Sequence, residues 1–267
     1  MTPSPTTPAS AGLEADLHCL NCGYNLRGLD AAGLCPECGE PVADTLRGDW
    51  LIDAAPAWTS GLARGMGLLL VAFALWLGMF GAFTGGVDVG SVVWPAGTLL
   101  ASLVAGVGYW LLTAREPGGR ERPGMTLRQL ARVLLMSHVA LSLLAAAFVL
   151  AELSIDWAVI YGVGHLVGLA GFALLLARLR PIAFRVPSAG LGRQTRWMMW
   201  SYVGLTVFSY SLLGICMTTA PSVSGAVFFS VGVWLGLVVN VWLIVLLVRY
   251  YLAFRRIARS QQRTAAD

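Results

Sequence analysis

A polar first quarter of the chain gives way, from residue 62 onward, to six long apolar stretches. They run over residues 62–83, 91–113, 126–151, 155–177, 198–219 and 225–249, each at least 22 residues long. About 20 apolar residues carry a helix across the hydrocarbon layer of a bilayer. None of the six has the polar face that a helix half-buried in a soluble core would show. The pattern predicts an all-α membrane protein, a six-transmembrane-helix bundle over 62–252. Ahead of it come a disordered tail over 1–17, a compact module over 18–42 and a connecting stretch over 43–61. A basic tail over 253–267 extends the last helix.

Local sequence supports these elements. Thr126 and Gln129 fit a capping box that opens the third span. Gly61/Gly65, Gly164/Gly168 and Gly232/Gly236 have the small-xxx-small spacing that lets helices approach closely, although 31 glycines would produce some such pairs unaided. Trp50, Trp58, Trp94, Trp110, Trp157, Trp197 and Trp200 fall near the expected interfaces. The stretch 45–61 is too short and polar to cross. It reads either as an interfacial segment along the inner leaflet, through Trp50, Leu51, Ile52 and Trp58, or as a plain linker. The second, fourth and sixth spans end alike, in leucine-rich runs followed by arginine, a faint trace of three related hairpins.

Composition agrees with a membrane body: 57% of residues are hydrophobic and only 12% charged, against about a quarter in a soluble domain. The formal net charge is a modest +4, and its placement says more than its size. All 18 basic residues are arginine. They fall before or at the very start of the first span (Arg27, Arg47, Arg64), around the second connection (Arg115, Arg120, Arg122, Arg128, Arg132), around the fourth (Arg178, Arg180, Arg185, Arg193, Arg196) and at the end (Arg249, Arg255, Arg256, Arg259, Arg263). The alternate connections carry none, only Asp88, Glu152 and Asp156. Positive residues stay in the cytoplasm during insertion, so both termini are expected in the cytosol and the protein in the inner membrane. Residues 1–17 lack the basic start and apolar run of an export signal.

Four of the five cysteines lie in one window, Cys19-Leu-Asn-Cys22-Gly-Tyr and Cys35-Pro-Glu-Cys38-Gly-Glu. Each CxxC forms a tight knuckle that turns two sulfurs toward one metal, and two knuckles complete a tetrahedron. Zinc suits four thiolates, since it imposes no d-electron geometry and does no redox chemistry. Gly23 and Gly39 allow positive φ directly after each second cysteine, and Gly28, Asp30 and Gly33 suit the turn that joins the knuckles. A disulfide framework is the alternative, disfavoured in a reducing compartment; rubredoxin-type iron sites use similar knuckles around a larger aromatic core. Four sulfurs leave no open position, so the zinc is expected to be structural. His18 stands beside the site without being needed. Cys216, in the fifth span, reads as a packing residue.

Residues 19–42, CLNCGYNLRGLDAAGLCPECGEPV, resemble the N-terminal zinc-ribbon that precedes the membrane region of planctomycete-type multi-pass membrane proteins. The resemblance implies a ribbon fold with zinc on Cys19, Cys22, Cys35 and Cys38. It covers under a tenth of the chain and implies no activity.

Within the spans, His138 and His165 lie at similar depth in the third and fourth helices, and Asn240 lies in the sixth. Ionisable groups inside a membrane are costly and suggest function. The pair has three readings: neutral imidazoles hydrogen-bonded between helices, a proton relay or solute site, or the two axial ligands of one haem b. Against haem, six-helix carriers resembling cytochrome b561 have two histidine pairs and this chain has one. Ser209, Tyr210 and Ser211 offer a further polar contact. No phosphate loop, HExxH or GxSxG motif is present, and the connections are too short to fold a catalytic domain. The ribbon's acidic balance and lack of a base-stacking platform disfavour nucleic acid. The sequence therefore suggests a membrane scaffold or sensor whose ribbon docks another cytosolic protein or the protein's own inner loops. A small transporter and a haem carrier are the alternatives. The acids of 37–53, facing arginine-rich loops, suggest that self-docking would be electrostatic.

Overall fold

The structure, a computed structural model, describes residues 12–14, 16–20, 22–47, 50–84, 93–117, 126–151, 157–186, 190–218 and 223–264. Within the helices, side chains at 80, 81, 83, 84, 94, 157–159, 161, 209, 210 and 212–237 are outside that description. The described chain is all-α, with no strand among the described residues and two isolated antiparallel bridges. Its helices are α1 (Val42–Arg47), α2 (Pro56–Thr84), α3 (Val93–Leu112), α4 (Leu127–Leu150), α5 (Trp157–Phe184), α6 (Gly190–Thr218) and α7 (Val223–Thr264), with a short 3-10 turn at Leu51–Asp53.

Five stretches are long and apolar enough to cross a membrane: Pro56–Met79, Pro95–Leu112, Leu127–Leu150, Gly162–Phe184 and Val238–Thr264. These make the fold compatible with a multi-pass membrane protein. The predicted span 198–219 is helical through residue 218, within α6, but many of its side chains lie outside the described set.

The six long helices pack in chain order, each on the next, and α7 returns to pack on α2. The bundle is thus a closed ring. Its core concentrates at one end, where Leu62, Met66, Leu112, Leu175, Leu179 and Tyr250 are buried. The α2 helix begins at Pro56 rather than 62, inside the connecting stretch, with Trp58 and Thr59 buried. Three further helices run past their apolar runs at this end, α7 as its basic tail predicts. The α5 helix continues past residue 177 through Pro181, because Leu179, Ile182 and Ala183 are buried against the bundle. The α6 helix starts at Gly190 rather than 198, burying Leu191, Thr195 and Met198 at helical spacing. The α7 helix runs on to Thr264, with Phe254, Ile257, Ala258 and Gln261 buried. In each case an arginine-bearing stretch ends the apolar run without ending the helix.

The connecting stretch is anchored in protein. Leu51 and Trp58 are buried, and Trp58 Nε1 donates to the Ala114 carbonyl at 3.3 Å. Thr126 caps α4 with both halves of the capping box formed. Glycines set the closest helix approaches. On α2 it is Gly65 that meets α3, at Gly108; Gly61 touches nothing within 4 Å of where a Cβ would stand. On α5, Gly164, Gly168 and Gly171 bring α4 close. Gly232 and Gly236 lie outside the described side chains.

Candidate metal centre and bundle cavity

The four cysteines converge. The Sγ atoms of Cys19 and Cys38 are 3.7 Å apart, those of Cys22 and Cys35 3.6 Å, and all four lie within 4.8 Å of one another. All four are free thiols. A disulfide would bring sulfurs to about 2 Å. A tetrahedron with metal–sulfur bonds of about 2.3 Å has edges of about 3.8 Å, so the observed spacing suits four ligands around one ion.

Two copies of one local structure build the group. Each backbone contact of the first knuckle recurs sixteen residues later. Gly23 N–H donates to the Cys19 carbonyl and Gly39 N–H to the Cys35 carbonyl, each at 2.8 Å. Cys19 N–H donates to the Tyr24 carbonyl and Cys35 N–H to the Glu40 carbonyl, again at 2.8 Å. The bridges His18–Asn25 and Leu34–Pro41 correspond, as do the buried Leu26 and Val42 beneath the sulfurs. Gly23 and Gly39 take φ of 79° and 71°, where a side chain would be strained. This pseudo-twofold arrangement was readable in the spacing of CLNCGY and CPECGE.

Burial pushes the Cys22 and Cys38 thiols up, disfavouring their thiolates. Burial acts on Cys35 in the same sense, but the N–H groups of Cys38 and Glu37 outweigh it and hold that thiol below its ordinary value. A divalent cation supplies the charge that would let four clustered sulfurs deprotonate together.

The knuckle also touches the bundle. Arg180 of α5 donates from Nη2 to the Cys22 carbonyl at 3.3 Å, and its guanidinium lies 5.7 Å from the Phe184 ring centroid. Phe184 fills the space beside Gly23 and beside Gly192 at the start of α6, leaving no room for a Cβ at either. This contact is made by a backbone carbonyl: of the acids of 37–53, Glu37, Glu40 and Asp53 are exposed, Asp44 pairs with Arg47 of its own helix at 3.2 Å, and Asp49 lies outside the described residues.

Compared with known proteins, the chain matches no family model, no curated protein and no solved structure. The likeness of residues 19–42 to planctomycete-type ribbons therefore rests on the knuckle motifs alone.

Inside the ring lies a cavity of about 380 Å³ with lining residues from all six long helices. It brings together the three polar residues singled out in the spans, His138, His165 and Asn240. The two imidazole centroids are 6.0 Å apart, tilted by 41°. His138 Nδ1 lies 2.7 Å from the Gly164 carbonyl of α5. Gly168, one turn on, leaves space for that ring: a Cβ there would stand 2.7 Å from His138 Nδ1. Ser211 donates to the Val207 carbonyl of its own helix, away from the cavity, while the side chains of Ser209, Tyr210 and Cys216 are outside the description. Sequence reasoning missed Trp76, Tyr109, Ser142 and Tyr202 as lining residues. Trp76 and Ser142 stood in mid-span, where an aromatic or hydroxyl was the sign available, whereas Tyr109 and Tyr202 lie close to the interfacial Trp110 and Trp200 and gave no such sign.

Proposed function

We propose that this is a six-span protein of the inner membrane, with both termini in the cytosol and a structural zinc-ribbon seated on the cytosolic ends of α5 and α6. The reading is of a scaffold or sensor whose metal module and membrane bundle are mechanically joined. One observation carries it: Cys22, a metal-ligand candidate, gives its own carbonyl to Arg180, while the neighbouring Gly23 packs on Phe184. Zinc would order that knuckle, and the ordered knuckle would hold the end of α5. Tyr24, Leu34 and Leu46 are exposed apolar side chains on or beside the ribbon, which supports docking of a cytosolic protein there. The grouping of arginines on alternate connections supports the orientation.

Hydrogen exchange on the full-length protein in lipid nanodiscs tests the reading. Stripping the metal should raise exchange over residues 178–186 as well as in the knuckles. Faster exchange confined to the knuckles would separate the two modules and end it.

A solute site in the bundle is the second reading, favoured by the shared cavity of His138, His165 and Asn240. Haem b is less favoured, because the chain has a single histidine pair in its spans; the Nδ1 bond of His138 to Gly164 leaves Nε2 available and does not separate the two. Proteoliposome flux lost in His138 or His165 variants would favour transport; a Soret band in purified protein would favour haem.

A further inference from the structure

We infer that the cavity within the helix ring binds an uncharged, ring-bearing hydroxyl compound, a phenol or quinol, whose O–H donates to His138. The inference rests on reading the cavity as a ligand site and requires no transport. A volume of about 380 Å³ suits a small organic molecule. Among the described residues, no aspartate, glutamate or arginine lines the cavity, so a charged ligand would enter with nothing to balance it. Aromatic pairs stand on opposite sides of the ring. Phe73 and Trp76 of α2 are 6.1 Å apart, while Phe172 of α5 and Tyr202 of α6 are 5.2 Å apart. A planar ring between them would meet aromatic surface on both sides.

The polarity of the hydrogen bond follows from His138. A carbonyl oxygen can only accept, so Nδ1 carries the proton that lies on Gly164. In a neutral imidazole that leaves Nε2 as an acceptor, and among the described residues it has no hydrogen-bond partner. Ser142, the nearby hydroxyl on the same helix, already donates to the His138 carbonyl at 2.9 Å. The bond to Gly164 and the contact with Gly168 hold the ring in place, so the acceptor is presented in one orientation. A ligand that supplies a donor completes the site, and a ligand offering only ether or carbonyl oxygens does not.

The test is equilibrium binding of 2-naphthol and of its methyl ether to the full-length, metal-loaded protein in phosphatidylcholine nanodiscs, with empty nanodiscs as background. Naphthol should bind saturably and about tenfold more tightly than the ether, the factor that one hydrogen bond supplies. His138→Asn keeps a donor toward Gly164 but is shorter than the imidazole and leaves no acceptor at the Nε2 position, so it should erase the preference. Ala105→Phe, which fills the cavity, should abolish binding of both. Equal affinities in the unaltered protein, no saturable binding above empty nanodiscs, or a preference that survives in helical His138→Asn protein would each overturn the inference. Solute flux without naphthol binding would sink it while leaving the transport reading in place.

Discussion

Gly65 of α2 and Gly108 of α3 lie back to back: a Cβ on either would stand 3.0 Å from the carbonyl oxygen of the other. The carbonyl contact is backbone to backbone and cannot swing aside, and the Leu112 and Leu69 side chains crowd the two positions equally closely, at 3.0 Å. Replacing either glycine by alanine should therefore force the two helices apart, at a cost of about 1–3 kcal/mol. Thermal unfolding in detergent should show a lower midpoint for Gly65→Ala and Gly108→Ala. Gly61→Ala meets nothing within 4 Å and should leave the midpoint unchanged or higher.

The cysteine group should carry one zinc per chain, with four sulfurs around it by X-ray absorption. Changing Cys22 or Cys35 to serine should remove the metal, and Cys216→Ala should not. Iron in place of zinc, or a metal content unaffected by Cys35→Ser, would contradict the assignment.

Arg185 and Glu116 form a two-pronged ion pair at 2.8 and 2.9 Å, with side chains only 12% and 23% exposed. It joins the end of α5 to the segment after α3. Two charge-assisted bonds with limited access to water should make Arg185→Gln cost about 2 kcal/mol. A double-mutant cycle with Glu116→Gln should return a coupling energy well above that of an exposed pair.

Gln261 near the end of α7 donates from Nε2 to the carbonyls of Ile52 and Ala54, and the hydroxyl of Thr59 donates to its Oε1 at 2.6 Å. Gln261→Ala would strand these groups in a buried place, and a loss of about 1–3 kcal/mol is expected. Deletion from residue 257 onward should destabilise the start of α2, which limited proteolysis near residue 54 would report.

Orientation can be checked directly. Ser222→Cys should react with a membrane-impermeant maleimide in intact cells, whereas Arg193→Cys should react only after lysis. The opposite pattern would place the ribbon outside the cell.

Much of this architecture was legible because its causes are local. The capping box at Thr126 and Gln129 needs only three residues of sequence, and the knuckles need only the spacing of cysteine and glycine. Helix ends were less so: the apolar run stops near residue 177, while Leu179 and Ile182 keep α5 going because they are buried against protein. The pairing of Gly65 with Gly108, and of Arg180 with a carbonyl in the ribbon, depends on which helices become neighbours, which no single stretch encodes. The histidines were visible as two polar residues at similar depth. That Gly168 makes room for one of them, and that tyrosines and a tryptophan complete the chamber, required the helices to be rotated into place.

Because the ring closes by α7 meeting α2, its first and last long helices share a seam. Without α7, helices α2 through α6 would form an open arc. Only the final helix closes that arc into a ring, so a chain ending before α7 would lack the wall that Val239, Asn240 and Leu243 give the cavity.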